Sequence, residues 1–250
     1  MKSFLNSEKP ILTGMVTAST VEEDLQKIAL YKEQGAQAFC FQFERLIPAD
    51  KAPERLKLLF DAMDGYPIYA TNYMRGNSEA DTISWETIED QLLLLHELGA
   101  TILDIPSDMY HPSDMELATD SAVIERQKAF ISKLHARGAE VLMSAHVLRF
   151  IPKETAYAIA LAQKERGADI AKIVTKADTD EELRENFEIT LMLKKQLGIK
   201  TLFLCGGEKC RTHRLLGPIF GSAIYLVRTN EDNDIQPKIK DAIAALGYLN

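Results

Sequence analysis

One pattern recurs along the 250 residues and limits the fold more than any other. A charged, helix-like segment ends in glycine and an apolar run begins at once: "YKEQGAQAFCF", "LHELGATILDI", "LHARGAEVLMS", "QKERGADIAKIV" and "KKQLGIKTLFL". Glycine at a helix C-terminus takes the left-handed conformation that ends the helix at low cost. The run after it is too short for a helix and reads as a strand buried on both faces. Repetition of this junction is the mark of parallel β/α architecture.

Strands are predicted near 10–17, 37–43, 67–73, 101–106, 140–145, 169–175, 200–205 and 222–228. Helices are predicted near 21–34, 51–63, 84–98, 121–137, 153–166, 179–197, 209–217 and 235–246. Capping residues mark helix starts in "STVEED", "SWETIEDQ" and "DTDEELREN". Eight such units in a chain of this length predict an α/β fold, a single-domain (β/α)8 TIM barrel. An open doubly wound sheet would show a glycine-rich turn after its first strand, and "TGMVTASTVEED" has none.

The charge balance narrows the partners. A formal net charge of -8, with no dense basic block, argues against nucleic acid or an anionic membrane. No apolar run approaches transmembrane length. The start, "MKSFLNSEKPILTGMV", is interrupted by Glu8 and Pro10 and reads as no signal peptide. Cys40, Cys205 and Cys210 lack metal-site spacing and read as free thiols of a reducing compartment. The expectation is a cytoplasmic protein acting on a small molecule.

A barrel directs attention to the C-terminal ends of its strands. In "GADIAKIVTKAD", Ile170, Lys172 and Val174 share one face of strand six, and Ala171 and Ile173 share the other. The second face is wholly apolar and suits the helix layer, which points Lys172 into the barrel. Burial there penalises the ammonium and favours the neutral amine, which attacks a ketone or aldehyde to form an imine. The alternative is a lysine reaching a rim carboxylate such as Asp169 or Asp178. His146 follows the apolar run of strand five, the neighbour of strand six, so its imidazole can converge with Lys172 and move protons. His96 and His135 read as helix-end cations, and His111 as a loop residue.

After strand seven comes "CGGEKCRTHRLLGPIFGSA". Gly206 and Gly207 allow a turn whose amides could face an anion. Arg211 reads as a solvated cation. Arg214 reads as a ligand for a carboxylate or, as barrels often bind it here, a phosphate.

The segments "SAH", "GADIAKIV" and "HRLLGPIFGSA" resemble the type I 3-dehydroquinate dehydratases. The resemblance runs in order over most of the chain and is strongest from 138 to 236. It implies a homodimeric barrel of the shikimate pathway that needs no metal or coenzyme. It also implies that Lys172 forms the imine, His146 moves the proton beside it, Arg214 holds the substrate carboxylate and Gln236 contacts the substrate. The family's Glu-x-Arg-x-Asp pattern on strand two falls on Cys40, Gln42 and Glu44. The arginine ending strand three falls on Tyr73, with Arg75 two residues on. Gln42, Glu44, Tyr73 and Arg75 are therefore the expected substitutes in substrate binding. The acid that orients the histidine has no clear counterpart; Glu79 and Asp81 are in the corresponding loop but off register. The acid after the histidine becomes Val147, the serine before the arginine becomes His213, and the serine near Gln236 becomes Asp232. The leading expectation is dehydration of 3-dehydroquinate. The alternatives are a Schiff-base lyase or aldolase for another hydroxylated keto acid, or a carboxylate-binding barrel without catalysis.

Overall fold

The computed structural model describes residues 2–75, 77, 83–232 and 235–247. In chain order the elements are β1 (Ile11–Val16), α1 (Val21–Gln34), β2 (Ala38–Gln42), α2 (Pro53–Ala62), β3 (Ile68–Thr71), α3 (Trp85–Leu98), β4 (Ile102–Pro106), α4 (Ser121–His135), β5 (Glu140–His146), α5 (Lys153–Glu165), β6 (Ile170–Lys176), α6 (Asp180–Gln196), β7 (Lys200–Gly206), α7 (Cys210–Gly221), β8 (Ile224–Val227) and α8 (Ile239–Gly247). The strands are parallel and ordered β7-β6-β5-β4-β3-β2-β1-β8. With β8 on β1, the sheet curls into a nearly closed (β/α)8 barrel.

The junction glycines explain why these helices stop where they do. Gly35, Gly99, Gly138, Gly167 and Gly198 all have positive φ, between 78° and 124°. At the other ends, Thr20 and Ser84 accept the backbone N–H of Glu23 and Thr87. Thr179 and Glu182 complete a capping box at the start of α6. Helix α7 outruns its expected end at residue 217. Pro218 forgoes one helical hydrogen bond, yet the turn continues and Ser222 N–H closes on the Pro218 carbonyl at 3.3 Å.

Strand parity divides the core. Ile170 and Val174 pack inside the barrel with Cys40, Tyr69, Ile102 and Leu204. Ala171 and Ile173 face the helices with Ile159 and Ile189. Lys172 therefore points inward, and the register sets it opposite Ser144, with His146 opposite Val174. No described helix is long and apolar enough to cross a membrane.

Candidate functional site

Lys172 is 5% exposed and has three hydrogen-bond partners inside the barrel. Its Nζ donates to Tyr73 Oη at 2.7 Å, to Tyr69 Oη at 2.9 Å and to Asp104 Oδ2 at 3.2 Å. Both phenols in turn donate to the same Asp104 oxygen in short hydrogen bonds. Tyr69 lies on β3, Tyr73 just beyond it, and Asp104 on β4 with no exposed surface. Burial, then the charge of Asp104, pushes both phenols well above their ordinary range, so they stand as neutral donors. The lysine is thus paired with a carboxylate inside the barrel and not at its rim. Asp169 instead accepts from His135 and from the Val141 N–H, and Asp178 accepts from the Glu208 N–H. Asp104, an interior carboxylate, takes the place of the rim carboxylates Asp169 and Asp178 as the partner of Lys172.

His146 ends β5 beside this group. Its ring meets Tyr73 edge to face, with centroids 5.1 Å apart. Glu116 Oε2 accepts both the His146 backbone N–H, at 2.6 Å, and the Nδ1–H, at 3.0 Å. Burial, and then the Lys172 charge, pushes the imidazole down to about 4 against the opposing pull of Glu116. At neutral pH the ring is uncharged. A carboxylate on Nδ1 fixes the proton there and leaves Nε2 as the base. Burial works against the charge of Glu116, but the hydrogen bonds from His146 and the positive charge of Arg75 outweigh it and hold the acid below its usual range. Arg75 makes a short ion pair with Glu116, and its guanidinium lies 5.9 Å from the centre of the Tyr73 ring.

The remaining expected residues stand at other strand ends. Gln42 is half-buried at the end of β2 and shares the inward parity of Cys40. Glu44 is buried in the turn after β2, with both oxygens on Thr71 Oγ1 at 2.8 and 3.1 Å. Burial pushes its carboxyl up to about 7. Arg214 is buried on α7 and donates Nε–H to the Cys205 carbonyl at 2.6 Å. Gln236 is buried ahead of α8, its carbonyl taking the Arg228 Nε–H at 2.7 Å. A cavity of about 290 Å³ opens beside Tyr73, walled by Met74, Arg75, Trp85, Pro106, Asp108 and Glu116.

One expectation changes, and one role left without a residue is filled. The glycine turn after β7 is not an open anion nest: the Glu208 N–H is held by Asp178, Lys209 N–H by the Ala177 carbonyl and Cys210 N–H by the Gly207 carbonyl. The acid on His146 is Glu116, from the β4–α4 loop; Glu79 and Asp81 lie outside the described residues. His213 is a core residue between Phe187 and Phe203, hydrogen-bonded to Thr190 at 3.1 Å. Asp104 had a readable signal. It is a carboxylate inside the apolar run "TILDIP", and the alternation that turned Lys172 inward turns Asp104 inward too. Tyr69 shares that parity rule. Glu116, ten residues past β4 in irregular chain, has no such signal.

The family model described as Type I 3-dehydroquinase matches residues 14–250. The chain belongs to that family. A 3-dehydroquinate dehydratase of Methanococcoides burtonii is 24% identical over 227 residues, covering 89% of this chain and 86% of that protein. The dehydratase structure from Geobacillus kaustophilus superposes with a TM-score of 0.79 at 18% identity, covering 100% of this chain and 95% of that one. A type I enzyme of Clostridium difficile, crystallised with covalently modified comenic acid, gives 0.80 at 16% identity over 98% and 94% of the two chains. Membership in the type I 3-dehydroquinases makes the chain a hydro-lyase, and the barrel it shares with these structures surrounds the lysine and histidine described above.

Proposed function

We propose that this type I 3-dehydroquinase removes water from 3-dehydroquinate to give 3-dehydroshikimate through an imine on Lys172. The observation that carries the reading is the buried lysine of β6 touching Tyr73, whose ring abuts a neutral His146. Condensation of Nζ with the ketone gives a protonated imine, which acidifies the adjacent C–H. His146 Nε2 takes that proton as the electron pair moves into an enamine. The pair then returns to expel the hydroxyl one carbon further on, with the same imidazole supplying the proton that makes it water. Hydrolysis of the imine releases the enone. Arg214 takes the substrate carboxylate, and Gln236, Gln42, Glu44 and Arg75 provide polar contacts. A homodimer in the cytoplasm completes the proposal; sedimentation velocity reads its first part.

A second reading keeps the imine and changes the hydroxylated keto acid. It is favoured by Cys40, Gln42 and Tyr73, a thiol, an amide and a phenol where the family's pattern has charged residues. One experiment addresses both. Borohydride is added with 3-dehydroquinate or with other hydroxy-keto acids, and Lys172 is mapped by mass while enone absorbance is followed. The expected result is an adduct and product with 3-dehydroquinate, both lost in a folded Lys172→Ala variant. An adduct with another acid only would select the second reading. Absence of any adduct and any product would reject both.

A further inference from the structure

We infer that Tyr73 and Asp104 form a proton relay that serves the making and breaking of the Lys172 imine. The inference rests on the imine reading above. Its starting point is a proton count. A ketone and an ammonium become a protonated imine and water with no net exchange of protons. Nitrogen gives up two protons, and both must end on the oxygen that leaves. A group that shuttles them has to touch nitrogen, hold a proton briefly and give it back.

The barrel interior supplies that group. Tyr73 Oη is 2.7 Å from Nζ and is itself hydrogen-bonded to Asp104. Tyr69 makes a parallel connection at 2.9 Å and holds the same carboxylate oxygen in place. The other oxygen of Asp104, Oδ1, is buried without a hydrogen-bond partner, so the carboxylate has room for a proton. His146 is placed differently. Its Nδ1 is committed to Glu116, it meets Tyr73 only ring to ring, and neither of its nitrogens is among the partners of Nζ in the described residues.

The steps balance. Nζ passes a proton to Tyr73 Oη as the phenol passes its own to Asp104. The freed lone pair forms the C–N bond, and the carbonyl π pair moves to oxygen. The relay runs backward to protonate that oxygen. The second N–H proton follows the same path and is returned to the hydroxyl, which leaves as water while the nitrogen pair closes the C=N bond. Asp104 ends as the carboxylate it began as. Phenols held neutral by burial act here by passing a proton on and taking one in a single motion.

Rapid mixing with 3-dehydroquinate, quenched by borohydride at set times, reads the rate of adduct formation on Lys172. Tyr73→Phe and Asp104→Asn are expected to slow it by about 10²-fold. His146→Ala is expected to accumulate adduct and fail to give product. A Tyr73→Phe adduct rate within about 3-fold of wild type would overturn the relay. Circular dichroism and melting confirm that each variant is folded. The wild type adds a test free of substitutions: transfer of two protons predicts a slower adduct rate in D2O, and an unchanged rate would overturn the relay. Absence of an adduct in the wild type would sink the imine itself, whereas a wild-type adduct with an unaffected Tyr73→Phe would sink the relay alone.

Discussion

Glu116 decides which nitrogen of His146 carries the proton, and it does so from a loop. Its own backbone sits at φ 44°, in the left-handed region, which aims the carboxylate at the His146 amide and ring together. The proposed base is the uncharged imidazole. Because burial pushes it down to about 4, the acid limb of kcat/KM is expected near pH 4 and not near the ordinary histidine value. Glu116 pulls that value upward, so Glu116→Ala should move the acid limb further down. The same change frees the ring and mixes its tautomers, which should lower kcat by roughly 10- to 100-fold. A pH–rate profile whose acid limb moves up instead would show that another group sets it. Only part of this cluster is written locally. Lys172, His146 and Asp104 follow from strand parity. The Glu116 contact spans 30 residues and depends on how an irregular loop folds back.

That loop is held by an element far from it in sequence. Arg166, the residue that ends α5, is 5% exposed and sends its guanidinium to the carbonyls of Ser107 and Ala118 and to Gln127 Oε1, at 2.7, 2.5 and 2.9 Å. Ser107 opens the β4–α4 loop, Ala118 lies near its close, and the Ala118 N–H donates to the Ser107 carbonyl. Gln163, three residues earlier on α5, ties Ser107 Oγ to the Lys172 carbonyl. One helix end therefore fixes both the strand that carries the lysine and the loop that carries Glu116. Arg166→Met would strand buried carbonyls without donors and is expected to cost about 2–5 kcal/mol in chemical denaturation. In protein that remains folded, kcat should fall more than KM rises, since the loss acts through Glu116. Unchanged stability would mean that the loop holds itself. Nothing local in the sequence announces the burial of Arg166. The helix ends are different. Five junction glycines were legible because the αL requirement is a property of one residue and its neighbours.

At the scale of the molecule, the barrel has one weak joint. Among the described residues no ladder joins β7 to β8; the backbone link there is the Ala223 N–H on the Thr201 carbonyl at 2.8 Å. Alternation along a parallel strand turns Thr201, Phe203 and Cys205 toward this seam and Leu202 and Leu204 toward β6. Arg214 fits that geometry, because its Nε–H takes the Cys205 carbonyl that a β8 amide would otherwise hold. The residue expected to bind the substrate carboxylate is thereby also a plug in the barrel wall. In native-state hydrogen exchange, the amides of Phe203 and Cys205 should exchange at least about 10-fold faster than those of Leu202 and Leu204. A carboxylate substrate anchored on Arg214 should slow the Cys205 amide more than the Leu202 amide, by steadying the plug against β7. Equal protection along β7 would mean that the wall is closed by bonds of another kind, and a substrate effect confined to β6 would remove Arg214 from the binding site.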